Sequence, residues 1–141
     1  MLHNKMLADR LANEFAIAVT KMQETNDIVQ KVYFFSAFYG ETQRVLNWEW
    51  DRDLALMFVV LHDAYQQLTV RLQASDRIGP GKFPAGLFDA LTQVAQDLTN
   101  YVSAGQDNDE EFASLLGRIA ELGYAVTGNG NYLYEKGLIK F

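Results

Sequence analysis

The chain contains no cysteine, only two prolines and two histidines, and fewer basic than acidic residues. Without cysteine, a disulfide framework and thiolate chemistry are both excluded. Its 12 lysines and arginines against 18 acidic residues give a net charge of −6. Because a nucleic-acid backbone or an anionic membrane surface attracts a basic patch, we expect no nucleic-acid partner and no membrane partner.

Long apolar runs are also lacking. The longest, Leu54 to Leu61, is eight residues, far short of the roughly 20 that span a bilayer. Residues 1–15 contain no apolar stretch of signal-peptide length. These absences predict a soluble, cytoplasmic protein. A length of 141 residues suits a single domain, whose core needs neither a metal nor a disulfide.

Helical periodicity is present through most of the chain. Apolar residues recur at steps of three and four, which is the pattern of amphipathic helices. Helices are predicted over about 4–24, 28–47, 52–74, 84–102 and 109–122. The polar residues 25–27 favour a break between the first two, although one continuous helix over 4–47 is the alternative. Similar lengths and short connections predict an all-α, up-and-down bundle of four or five helices.

The helix predicted over 52–74 carries the longest apolar run, which covers the whole circumference of a helix. We expect it to be the central helix, capped by Asp51 and covered on every side. Its second face carries Leu56, Val59 and Val60. In a five-helix arrangement the chain itself covers that face, whereas in a four-helix arrangement a second copy does so.

Glycine and proline mark the connections. The clearest loop covers residues 75–86, with three glycines and both prolines. Gly40, inside the second helix, indicates a kink or a close helix contact. Gly123 is expected to cap the end of the last clear helix. Beyond it, Asn129-Gly130 predicts a small C-terminal hairpin, with an extended tail as the alternative.

Motifs for catalysis or metal binding are missing. Helical bundles place metal ligands three or four residues apart, yet the chain has no Glu-x-x-His and no Glu-x-x-Glu. Asp53 lies about 13 Å of helix from His62 and Glu49 lies farther away, so both are too far from His62 to share one ion with it. No Gly-x-Ser-x-Gly occurs, and the loop at 79–82 departs from the phosphate-binding pattern. We expect no catalytic residue, no metal and no cofactor.

Aromatic residues are concentrated in one stretch. Residues 33–50 hold seven of the 18 aromatic residues of the chain. Three of them are consecutive, at 33–35, so they point in different directions on a helix and one core face cannot bury them all. One explanation is that the hydrophobic core is rich in aromatic side chains at one end of the bundle. An interface with another chain or a ligand pocket are the functional explanations.

We therefore favour a protein that acts through self-association as a homodimer, or through contact with another protein. The predicted interface residues are Leu56, Val59, Val60, Tyr33, Phe34 and Trp50. The alternative is a small helical enzyme or a binder of a nucleotide-like anion, since arginines, carboxylates and aromatics occur together. The predicted ligand-binding residues are Tyr39, Glu41, Arg44, Trp48 and Arg52.

Overall fold

A computed structural model describes residues 2–74 and 83–138, and these residues form six α-helices. The helices are α1 (Lys5–Glu24), α2 (Ile28–Leu46), α3 (Arg52–Gln73), α4 (Leu87–Ser103), α5 (Asp109–Ala125) and α6 (Gly128–Glu135). No strand occurs in these two segments, so the predicted all-α bundle is confirmed. None of the described helices is both long and apolar enough to cross a bilayer. Most of the predicted 75–86 loop lies outside the described residues.

The helices begin where short polar side chains can cap them. Asn4, Asp27, Asp51 and Asn108 each accept a hydrogen bond from a backbone N–H in the first turn of the helix that follows. Asp27 starts α2 only three residues after α1 ends, and Thr25 between them is extended. The predicted break is therefore confirmed, and the single long helix is excluded.

Five long helices close into a ring. α1 packs between α2 and α4, and α3 packs between α2 and α5. Contacts between α4 and α5 complete the ring, in the order α1, α2, α3, α5, α4, and α2 also touches α4 across it. The short α6 packs on α5. The largest fully buried side chains include Phe15, Phe35, Phe38, Leu11, Met22, Met57, Leu61, Leu91 and Leu98.

α3 lies on the perimeter of this ring. Leu54, Met57 and Leu61 are fully buried, but Leu56 and Val59 are exposed. The prediction that α3 is the central helix, covered on every side, is wrong, because α2 and α5 flank it on two sides and leave an outward face. A five-helix arrangement therefore does not cover the second face of the apolar run.

The end of α1 is held by a buried lysine from α2. Lys31 donates through Nζ to the carbonyl oxygen of Met22 at 2.6 Å and to Oγ1 of Thr92, on α4, at 3.4 Å. Carbonyls in the last turn of a helix lack an intrahelical partner, and a positive charge there also interacts favourably with the helix dipole. Lys31 therefore joins α1, α2 and α4 at one point.

Two glycines allow close backbone contacts. A Cβ on Gly123 would lie 2.9 Å from Cα of Ala64 in α3, and one on Gly130 would lie 2.0 Å from the carbonyl oxygen of Tyr124. Gly123 is thus inside α5 and does not cap it. The predicted hairpin or extended tail is also wrong, because Thr127 accepts a hydrogen bond from the Gly130 N–H and starts α6 there.

Two other glycines face open space and lead to a stability prediction. A Cβ on Gly40 in α2 or on Gly117 in α5 would meet nothing within 4 Å, and α2 continues through Gly40 as a helix. Alanine is favoured over glycine inside a helix by up to about 1 kcal/mol. We expect Gly40→Ala and Gly117→Ala each to raise the free energy of unfolding by roughly that amount, as measured by urea denaturation.

Gly123→Ala is the matched comparison. It should lower the free energy of unfolding, because the backbone of α3 must move to admit the new methyl group. A loss of stability in Gly40→Ala, or a gain in Gly123→Ala, would contradict the packing described here.

Candidate functional site

A groove of about 550 Å³ lies between the start of α1 and the end of α2. Small-molecule sites have volumes of about 300–1,000 Å³. Its apolar lining consists of Met6, Leu7, Val45 and Trp48, and its polar lining of Asn4, Arg10, Arg44 and Glu49. Trp48 is 79% exposed, so one wall of the groove presents a large aromatic surface to water.

A buried carboxylate organises the two arginines of the groove. Glu41 is only 6% exposed; its Oε1 accepts from Nε of Arg10 at 2.5 Å and its Oε2 from Nη1 of Arg44 at 3.5 Å. The hydrogen bond to Glu41, and then its charge, raise the pKa of Arg10. Each guanidinium carries further N–H donors beyond the one that Glu41 accepts.

Glu49 lines the groove beside the start of α1. Its two carboxylate oxygens accept from the backbone N–H groups of His3, at 2.9 Å, and Asn4, at 3.2 Å. These amides lie at the positive end of the α1 dipole, which favours a carboxylate there. Glu41 therefore ties α1 to α2, and Glu49 ties the residues before α1 to the connection after α2.

Two of the five predicted ligand-binding residues, Arg44 and Trp48, line the groove, and a third, Glu41, contacts both of its arginines. The other two lie elsewhere. Arg52 is exposed at the start of α3, with its Nε 3.9 Å from Oδ1 of Asp53. Tyr39 faces α3, where it packs against aromatic side chains. The structure thus brings together only the part of the set that lies at the end of α2.

Six residues that line the groove were not among the predicted ligand-binding residues, namely Asn4, Met6, Leu7, Arg10, Val45 and Glu49. Arg10 lies 31 residues from Glu41 in the sequence, and neither residue carries a local motif that points to the other. Met6 and Leu7 belong to the amphipathic pattern of α1, and that pattern predicts a helix but gives no sign of a binding site. Their approach to α2 depends on how the two helices pack, which periodicity alone does not specify.

Tyr39 belongs to an aromatic cluster between α2 and α3. Its ring centroid lies 4.9 Å from that of His62 and 5.0 Å from that of Tyr65, and Phe58 stacks on His62 at 5.4 Å. Burial, and secondarily Tyr65, raise the pKa of Tyr39. His62 is therefore part of a packed cluster. In the described segments, no group of three histidine or acidic side chains is placed to hold a metal ion.

A second surface is the outer face of α3, defined by the exposed residues of that helix. They are Arg52, Leu56, Val59, Asp63, Gln66, Val70 and Gln73. They follow one another at alternating steps of four and three residues, so they lie along one side of the helix. Two predicted interface residues, Leu56 and Val59, lie on this face, and Val70 extends its apolar part.

The remaining predicted interface residues are dispersed. Tyr33 is exposed on α2, and Trp50 is exposed in the connection before α3. Phe34 and Val60 are half-buried and pack against the core. Of the predicted interface residues, only Leu56 and Val59 therefore belong to the exposed row along α3.

Comparisons of the chain with protein-family models, with curated proteins and with solved structures found no match. Function is therefore inferred from the chemistry of the groove and of the outer face of α3.

The burial of Tyr39 predicts a pH-dependent stability. Because its pKa is raised in the folded chain, the folded state keeps the proton at pH values where unfolded tyrosine, with a pKa of about 10, has lost it. The contribution of Tyr39 is complete below about pH 10 and is lost as the pH rises through the folded pKa. We expect Tyr39→Phe to lose less unfolding free energy than the wild type between about pH 9 and 11.

Urea denaturation at several pH values measures this effect, and Tyr33→Phe on the exposed side of α2 is the control. Equal pH dependence in the wild type and in Tyr39→Phe would contradict the prediction.

Proposed function

We propose that this chain is an interaction protein that self-associates as a homodimer through the outer face of α3. The row of exposed residues along that face carries the proposal. In a small bundle, a helix normally presents polar residues outward. Here Leu56, Val59 and Val70 are exposed on the outward side, and Val59 is 60% exposed.

The row suits a second copy because it is self-complementary. The intervals between its exposed residues are the same in both directions from the midpoint between Asp63 and Gln66. In an antiparallel pair centred on that midpoint, Val59 of one copy faces Val70 of the other. Asp63 faces Gln66, whose amide can donate to the carboxylate. A twofold axis repeats each of these contacts, so every pair of facing residues occurs twice in the dimer interface.

The alternative register is unfavourable. An antiparallel pair centred on Asp63 itself would place the two copies of this carboxylate opposite each other, and like charges in contact are destabilising. It would also set a step of three residues against a step of four, so the other side chains would fall out of register. The observations therefore favour the pairing of Val59 with Val70.

Sedimentation velocity of charge variants tests this pairing. The wild type is expected to be a dimer at about tens of micromolar. V59E and V70K should each weaken dimerisation at least about tenfold, because each buries an unpaired charge. The V59E/V70K double variant should recover much of the loss, because the pairing sets the two new charges of opposite sign against each other. The recovery of dimerisation in the double variant should be smaller at high salt, because salt screens the attraction between the two new charges.

The control is I17E, which introduces the same charge at a 55% exposed position in the middle of α1. It should remain a dimer, and circular dichroism should show full helix content in every variant. A monomeric wild type would contradict the proposal. So would an I17E variant that dissociates as readily as V59E, or a double variant no better associated than the single ones.

A further inference from the structure

We infer that the groove between α1 and α2 binds a small organic carboxylate, that is, a molecule with one negative charge and an apolar body. This inference is independent of self-association, because the groove is lined by α1, α2 and the residues just after α2, and by none of α3. It rests on the charge at one side of the groove and on the apolar surface beside it.

The charge of the site favours a monoanion. Arg10 and Arg44 supply two positive charges, and the buried Glu41 offsets one of them. Glu49 also lines the groove and keeps its negative charge, but it is not paired with either arginine, because its oxygens accept backbone N–H groups at the start of α1. Glu14 makes only the weakest of the interactions that act on Arg10. The three groups in direct contact, Arg10, Arg44 and Glu41, thus carry one net positive charge, which a monoanion would balance.

The arginines are also held in place before a ligand arrives. Glu41 engages both guanidiniums through separate oxygens, at 2.5 Å and 3.5 Å. A guanidinium that is already oriented loses less conformational freedom when it forms a new hydrogen bond. Its remaining N–H donors suit the planar geometry of a carboxylate. A buried carboxylate that positions two half-exposed arginines is therefore suited to anion recognition.

The apolar part of the groove requires an apolar ligand body. Val45 is buried beneath it, Leu7 is half-buried, and Met6 and Trp48 stand exposed at its sides. A ligand with a chain or ring would remove this surface from water, at roughly 25 cal/mol per Å² buried. A purely polar anion such as free phosphate would leave that surface wet and would bring a second negative charge that the site does not balance.

Calorimetric titration of the 141-residue chain with three matched compounds tests the inference. Octanoate, 1-octanol and octylammonium share one apolar chain and differ in the charge of the head group. We expect octanoate to bind at least about tenfold more tightly than either of the other two, the difference expected for a hydrogen bond to a charged group. Its affinity should fall as the salt concentration rises.

Variants separate the two parts of the site. Arg44→Gln should weaken octanoate about tenfold and leave 1-octanol unchanged, which a merely structural role of Arg44 would not produce. Trp48→Ala should weaken both compounds. Arg118→Gln is the matched control, since Arg118 is also half-exposed and ion-paired, to Asp97 at 2.8 Å, but lies on α5. It should change neither affinity.

The position of the ligand can be checked through fluorescence. Trp48 and Trp50 are the two tryptophans of the chain, so Trp50→Phe leaves Trp48 as the single reporter. Octanoate should change the fluorescence emission of Trp48, and the midpoint of this change should equal the midpoint measured by calorimetry. Equal affinity for octanoate and 1-octanol, or an equal loss of both in Arg44→Gln, would overturn the inference. Absence of saturable octanoate binding would overturn it as well. V59E should bind octanoate like the wild type, so failure of the dimer and failure of the groove are distinguishable.

Discussion

The arrangement of the bundle depends on the seam between α3 and α5. At Gly123 the backbone of α5 approaches Ala64 so closely that an added methyl carbon would lie 2.9 Å from Cα of that residue. Two helices with small residues at their contact can approach more closely than helices with larger side chains there. This seam inserts α5 between α3 and α4 and so closes the ring. It also turns one side of α3 inward at Leu61 and leaves the opposite side facing water.

A second constraint acts at the other side of the ring, where charged groups join α1 and α2. Glu41 is buried with its carboxylate against Arg10, and a buried charge is tolerated only when it is paired and hydrogen-bonded. Glu49 adds a link between the connection after α2 and the residues before α1. An apolar seam and a charged seam thus hold opposite sides of one bundle, and the groove lies where the charged seam meets Trp48.

Local features of the chain could be predicted well and long-range ones could not. Helix starts followed from Asp27, Asp51 and Asn108, because a cap depends on residues within one turn. Gly123 was misassigned because a glycine near the end of a helical pattern suits a cap and a close contact equally. The groove was predicted only in part: Arg44 lies three residues from Glu41 on the same helix, whereas its partner on α1 comes from a distant part of the sequence. Ring order depends on such distant pairs, which periodicity does not encode.

The order of helices around the ring has a consequence for how the chain acquires its structure during synthesis. α1 and α4 are neighbours, and the hydrogen bond between Gln23 and Gln96 joins residues 73 positions apart. The side chain of Lys31 likewise reaches Thr92 across 61 positions. Closing such long loops is slower than pairing consecutive helices. The apolar side of α1 that α4 covers therefore stays exposed on the ribosome until more than half of the chain has emerged.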